Sequence, residues 1–259
     1  MTACDVYGPV APSFRLDGRR ALVAGAGRGI GAAAALALTD AGAHVTLAAR
    51  SADELERVAR QVRGRGGQAD IMPLDVTDPV AVARAVAAHG PFTILVNSAG
   101  TNRPALITET RDEDLEAVLA LNVKAAICLA REAARGMIDA GLPGSIITIS
   151  SQMGHVGGPR RTVYCATKHA VEGMTKALAW ELGPRQIRVN TLCPTFIVTT
   201  MTEPMFRDAA FRDFVLSRIA LGRLGRPEDV MGALVFLASD AAAMVTGSAL
   251  MVDGGWTAA

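Results

Sequence analysis

Tyr164 and Lys168 stand four residues apart in YCATKHAVEGM, just where an amphipathic run begins. On a helix this spacing puts a phenol and an ammonium on one face, one turn apart. A free tyrosine titrates near a pKa of about 10, so at neutral pH it is a poor proton donor or acceptor unless its surroundings intervene. A neighbouring ammonium favours the phenolate and would turn the pair into a tuned acid. Lowering the pKa by about 3 units takes roughly 4 kcal/mol of differential interaction. One close charge in a partly dry cleft supplies much of that. The same spacing also occurs in ordinary surface pairs on helices, so the neighbouring motifs have to decide.

Two other segments carry groups of the right type. IITISSQMGHVGG, residues 146–158, ends a β-branched run in two hydroxyls. The C-terminal end of a strand is the ligand side of a parallel sheet. VAGAGRGIG, residues 23–31, places Gly25, Gly29 and Gly31 as G-x-x-x-G-x-G between an apolar run and a small-residue helix. There a sharp backbone turn exposes amides to a pyrophosphate. Methyltransferases and flavoproteins use similar loops, and the spacing departs from the commoner G-x-G-x-x-G. The second apolar run ends Leu47-Ala48-Ala49-Arg50-Ser51 without the acid that would bind two ribose hydroxyls. Arg50, aided by Arg28, would instead pair with a 2′-phosphate through charge-assisted contacts of roughly 1.5–3 kcal/mol each. This points to NADP(H) rather than NAD(H).

The elements that must position these groups alternate along the chain. Strands are expected at 21–24, 44–49, 69–74, 92–96, 145–150, 187–192 and 248–252. Helices are expected from Gly29 to Ala41, after Ser51, from Pro79, as one long element from Asp112 to about Ile138, and over 163–182. Such alternation implies βαβ crossovers and a parallel sheet covered on both faces. The fold class is therefore α/β, a single doubly wound Rossmann domain with a seven-stranded parallel sheet flanked by helices. Residues 1–17 read as a loose lead-in without the apolar core of a signal peptide, and 18–259 as the domain. Residues 199–224, rich in Met and Phe, read as a substrate flap.

Composition agrees with this. Of 259 residues 50% are apolar but only 4% aromatic, as expected for Ala, Val, Leu and Ile helices packed on a parallel sheet. A net charge of +1 and no long basic run give no reason to expect nucleic acid or an anionic membrane. No run approaches the roughly 18 apolar residues of a membrane span. Cys4, Cys128, Cys165 and Cys193 lie far apart, without metal-ligand spacing. They read as free thiols in the cytoplasm, and no metal is expected.

Taken in order, the glycine loop, Asp75, NSAG at 97–100, Asn122, the serine upstream of the tyrosine, Tyr164-x-x-x-Lys168 and VDGG at 252–255 resemble the short-chain dehydrogenase/reductase family from about Leu16 to Trp256. The resemblance implies hydride transfer between a nicotinamide and a ketone or secondary alcohol. Tyr164 would exchange the proton, and Lys168 would lower its pKa and hold the nicotinamide ribose. Ser151, chosen over Ser150 by its separation from Tyr164, would bind the substrate oxygen. Asn122 would hold a proton-relaying water. Gly25, Arg28, Gly29, Ile30, Gly31, Arg50 and Ser51 would hold the phosphates, with Asp75 and Val76 at the adenine. Asn97, Ala99 and Gly100 would lie at the ribose, and Pro194, Ile197 and Thr199 at the nicotinamide. The family's usual threonine before the first glycine is Ala24 here, and its usual Pro-Gly is Pro194-Thr195.

The substrate is expected to meet Gln152, Met153, His155, Val156, Thr195 and the flap residues Met201, Met205, Phe206 and Phe211. The VDGGWTA and CPTF segments resemble relatives acting on sugar acids or polyols, while the wider resemblance also covers 3-oxoacyl reductases. Arg160 and Arg161 could steer an acid group, although adjacent arginines in a loop are usually solvated. A catalytically silent nucleotide-binding regulator would be expected to lack Ser151, Tyr164 or Lys168. Helices with alanine-rich outer faces at Ala125, Ala126, Ala133 and Ala177 pair across two-folds in this family, so a homotetramer is expected.

Overall fold

A computed structural model of the protein describes residues 12–258. Seven strands form one sheet: β1 Arg20–Ala24, β2 His44–Ala49, β3 Ala69–Pro73, β4 Ile94–Asn97, β5 Gly144–Ile149, β6 Ile187–Pro194 and β7 Ala249–Val252. Their order is β3-β2-β1-β4-β5-β6-β7, and every neighbouring pair is parallel. The winding reverses between β1 and β4, and a doubly wound sheet binds ligands at such a point, outside the carboxyl ends of its strands.

Around the sheet lie α1 Gly29–Asp40, α2 Ala52–Gly64, α3 Pro79–His89, α4 Asp112–Leu119, α5 Ala125–Asp139, α6 Thr162–Leu182, α7 Ala209–Ser217 and α8 Pro227–Ala238. The two faces of the sheet are sealed by separate apolar clusters. One includes Val23, Leu47, Ile147 and Leu192 under α1, α2 and α8. The other includes Leu22, Leu95, Ile146 and Val189 under α3 and α5. Central strands bury both faces, which is why they read as continuous apolar runs rather than alternating ones.

Some expectations need correcting. The long helix from Asp112 is α4 and α5 joined by a π turn over Ala120–Lys124, which holds Asn122. Helix α8 was not anticipated, although Pro227 at its first turn and Asp229, whose carboxylate accepts the Arg226 N–H at 2.7 Å, mark its start. The packed domain begins before residue 18: Leu16 is buried in the core and its N–H donates to the Ala41 carbonyl at 2.8 Å. Residues 1–11, including Cys4, lie outside the described residues. Ala125, Ala126 and Ala133 do not face outward; each is 1% exposed, packed against the sheet, and only Ala177 is exposed.

The 199–224 stretch contains a short 3-10 turn over Glu203–Arg207 and α7. It has its own small apolar cluster of Val215, Ile219 and Trp256, with Phe196, Phe206 and Phe211 packed on it. Phe196 meets Phe211 edge-on at 5.7 Å. Phe206 and Phe211 therefore anchor this segment rather than line the main cleft. Val156 packs against the same cluster.

Candidate active site

A cleft of about 820 Å³ runs along the carboxyl ends of the strands, from the glycine loop to the start of α6. The residues expected at a cofactor line it: Gly25, Arg28, Gly29, Ile30, Arg50, Ser51, Asp75, Val76, Ala99, Gly100, Pro194, Ile197 and Thr199. So do Ser151, Tyr164 and Lys168, together with Gln152, Met153 and Thr195.

At one end of the cleft the glycine loop leaves no room for a side chain at Gly25. A Cβ on Gly25, whose φ is +78°, would sit 2.8 Å from the backbone of Ser98 and Ala99. The N-terminus of α1 has no side-chain cap and no acid in its first turn. Its orphan N–H groups and its dipole are therefore available to an anion. Arg28 and Arg50 flank this end. Glu54, which was not anticipated, also lines the cleft and lies 3.6 Å from the Arg28 guanidinium. Asp75 bonds the backbone and hydroxyl of Thr77; these bonds, assisted by Arg50, hold its carboxyl below the usual range.

At the other end Ser151, the second residue after β5, caps the 3-10 turn Gln152–Gly154. Its Oγ accepts the Met153 N–H at 3.1 Å and donates to Gln152 Oε1 at 2.7 Å. Tyr164 and Lys168 are one turn apart on α6. Lys168 Nζ donates to the Ile149 carbonyl at 2.9 Å and lies 5.5 Å from the centre of the Tyr164 ring. Burial dominates both groups: it pushes the phenol up to about 12 and the lysine down to about 8. Without a ligand, then, the ammonium does not make this tyrosine acidic. The Ser151 hydroxyl and the Arg161 guanidinium draw it back only in part.

Besides Val156, Phe206 and Phe211, four expected residues stand behind the cleft wall. Gly31 packs so closely on the loop that a Cβ would lie 2.1 Å from the Gly25 carbonyl oxygen. Asn97 is buried, its Oδ1 accepting the Ala99 N–H. The Asn122 amide is committed to both main-chain groups of Thr101 and to Thr167 Oγ1. It ties the loop after β4 to α6 rather than presenting its amide to the cleft. His155 turns toward Glu172 and Cys193.

The two arginines part company. Arg160 is exposed, but Arg161 is 8% exposed, lines the cleft near Tyr164 and has no carboxylate partner among the described residues. Burial lowers its pKa. Thr195 Oγ1 and Asn102 Oδ1, both on cleft residues, are buried without a hydrogen-bond partner.

The family whose description reads enoyl-(acyl carrier protein) reductase matches residues 25–257. The chain belongs to the short-chain dehydrogenase/reductase family. This dehydrogenase/reductase is 41% identical over 245 residues to D-erythrulose reductase of Gallus gallus, covering 95% of this chain and 98% of that one. It is 40% identical to the 3-oxoacyl-[acyl-carrier-protein] reductase of Thermotoga maritima, covering 93% and 99% of the two chains. Among solved structures, a gluconate 5-dehydrogenase from Burkholderia cenocepacia in complex with NADP and tartrate superposes with a TM-score of 0.91 at 38% identity, covering 95% of this chain and 98% of that one. The present enzyme is accordingly an oxidoreductase that works with a nicotinamide cofactor. Among its described residues no helix is long and apolar enough to cross a membrane, and Cys128, Cys165 and Cys193 are free thiols.

Proposed function

We propose that this enzyme is an NADP(H)-dependent reductase of ketones that carry a carboxylate, the sugar-acid class rather than 3-oxoacyl thioesters. The observation that carries the reading is one cleft with Ser151, Tyr164 and Lys168 at one end and an uncapped helix N-terminus flanked by two arginines at the other. Bound NADPH supplies the hydride. The chain supplies the proton and the geometry. A phenol held near 12 is protonated at every working pH, so Tyr164 gives its proton to the carbonyl oxygen as the carbon is reduced. Ser151 holds the same oxygen by turning its hydroxyl from Gln152. Lys168, anchored on Ile149, keeps its remaining N–H bonds for the ribose hydroxyls and its charge beside the phenol. Asn122 positions the loop after β4.

Arg161 favours the acid. A buried guanidinium with no carboxylate of its own is costly, and a substrate carboxylate offsets that cost with a charge-assisted pair. Tartrate in the Burkholderia relative is a hydroxy diacid, in keeping with such a site. Replacing Arg161 with methionine is expected to raise KM for keto acids by about 10–100-fold, from a charged hydrogen bond of about 1.5–3 kcal/mol. Uncharged ketoses should be little affected. The check is NADPH consumption over a panel of keto acids, ketoses and 3-oxoacyl thioesters. A preference for thioesters, unchanged by the substitution, would sink this choice of substrate.

The same reading includes a cytoplasmic homotetramer. With most of the α5 alanines turned inward, the surface offered for pairing is the exposed Ile127 on α5 and Trp180 on α6, the latter 87% exposed. Light scattering should give four chains per particle, and a monomer would contradict it.

A further inference from the structure

Behind the Ser151 loop lies a cluster that no catalytic step uses. Cys193 Sγ is 3.4 Å from Glu172 Oε1 and 3.7 Å from His155 Nε2, and His155 Nε2 is 3.6 Å from the same Glu172 oxygen. These three atoms form a nearly equilateral triangle. Around a tetrahedral zinc ion with bonds of about 2.3 Å to sulfur and about 2.0–2.2 Å to nitrogen and oxygen, ligand atoms stand about 3.3–3.6 Å apart. We propose that His155, Glu172 and Cys193 form a structural zinc site.

Hydrogen bonds of the Cys193 sulfur account for two sides of the triangle but not for the third. The His155–Glu172 separation is too long for a hydrogen bond and suits two ligands of one ion. Ser150 Oγ is buried without a partner. A Cβ on Gly154 would lie 3.2 Å from it and 3.3 Å from Glu172 Oε1, so the hydroxyl and the carboxylate border the same glycine. The other Glu172 oxygen accepts from Thr191 Oγ1 at 2.8 Å, fixing the carboxylate as an outer-sphere partner does. One sulfur, one imidazole and one carboxylate suit zinc or cobalt and disfavour magnesium and calcium. Zinc displaces the thiol proton, and the ion with one thiolate, one carboxylate and a neutral imidazole leaves the site without net charge. The His155 side chain, 32% exposed, gives an ion its way in.

The three ligands come from the loop just after Ser151, from α6 one turn beyond Lys168, and from the end of β6 before Pro194. An ion there clamps together the three elements that carry the proton-transfer groups and the inner end of the cleft.

The test is a titration of metal-stripped protein with Co²⁺, read as thiolate charge-transfer and tetrahedral visible bands, followed by displacement with Zn²⁺. One Co²⁺ per chain is expected. Cys193→Ser should abolish the charge-transfer band, and His155→Gln should weaken binding by at least about tenfold. Cys165→Ser, at the half-exposed thiol, should change neither. Zn²⁺ should raise the Tm of the unaltered protein and not that of His155→Gln. If no thiolate band forms, or if it survives unchanged in His155→Gln, the site does not exist. The His155 variant lies at the surface and keeps the test decisive should Cys193→Ser fail to fold.

Discussion

Tyr164→Phe is expected to lower kcat for ketone reduction by about 10²–10⁴-fold, the usual contribution of a positioned general acid. The ring would keep its packing and its place 5.5 Å from the Lys168 ammonium, so NADPH should still bind. Only the proton is lost. Steady-state rates together with NADPH fluorescence titration separate the two effects, and unchanged turnover would remove Tyr164 from the mechanism. The pH dependence follows from the same site. The Lys168 ammonium, lowered to about 8 by burial, is charged at neutral pH and loses its proton as pH rises through that value. Because kcat/KM reports groups of the free enzyme, it should be flat for reduction below about pH 8 and fall above it. A value that instead rises steadily with pH would mean that the phenolate, not the phenol, is the working form in reduction.

Replacing Arg28 and Arg50 together with alanine is expected to weaken NADPH binding by about 10²–10⁴-fold. That is the sum of two charge-assisted contacts of about 1.5–3 kcal/mol each. NADH, which lacks the 2′-phosphate, should bind the double variant almost as well as the parent. The shares should be unequal. Arg28 already faces Glu54 at 3.6 Å and must be drawn from it, whereas Arg50 forms no direct ion pair among the described residues and feels only the more distant charge of Asp75. Single substitutions should therefore cost more at Arg50. Parallel titrations with the two cofactors provide the check; an equal loss for both would mean that the arginines serve the fold or the pyrophosphate and not the 2′-phosphate.

Much of this was legible in the residues. The strand–glycine–helix pattern at 23–31 calls for a sharp backbone turn, and the structure puts Gly25 against Ser98 and Ala99, where no side chain fits. The tyrosine and lysine fall on one face because helical geometry leaves no other outcome. What stayed hidden depends on packing between distant segments. Whether burial or a nearby charge controls Tyr164 cannot be read from a four-residue spacing, and burial prevails. Two adjacent arginines look alike in sequence, yet one turns into the cleft and its neighbour stays in water. The alanines of α5 read as an outer face because periodicity marks an apolar stripe without saying what covers it; here the sheet does. The His155, Glu172 and Cys193 trio has no short spacing at all, since a loop, a helix and a strand each contribute one member.

The central claim is that burial keeps the Tyr164 phenol protonated, ready to be given away. It is tested most directly by carbon-13 NMR of ring-labelled tyrosine in the ligand-free protein, with Tyr164→Phe to assign the resonance. The phenol should remain neutral at pH 10, where an ordinary tyrosine is about half ionised, and titrate near 12. A Tyr164 resonance half-shifted at or below pH 10 would contradict the account.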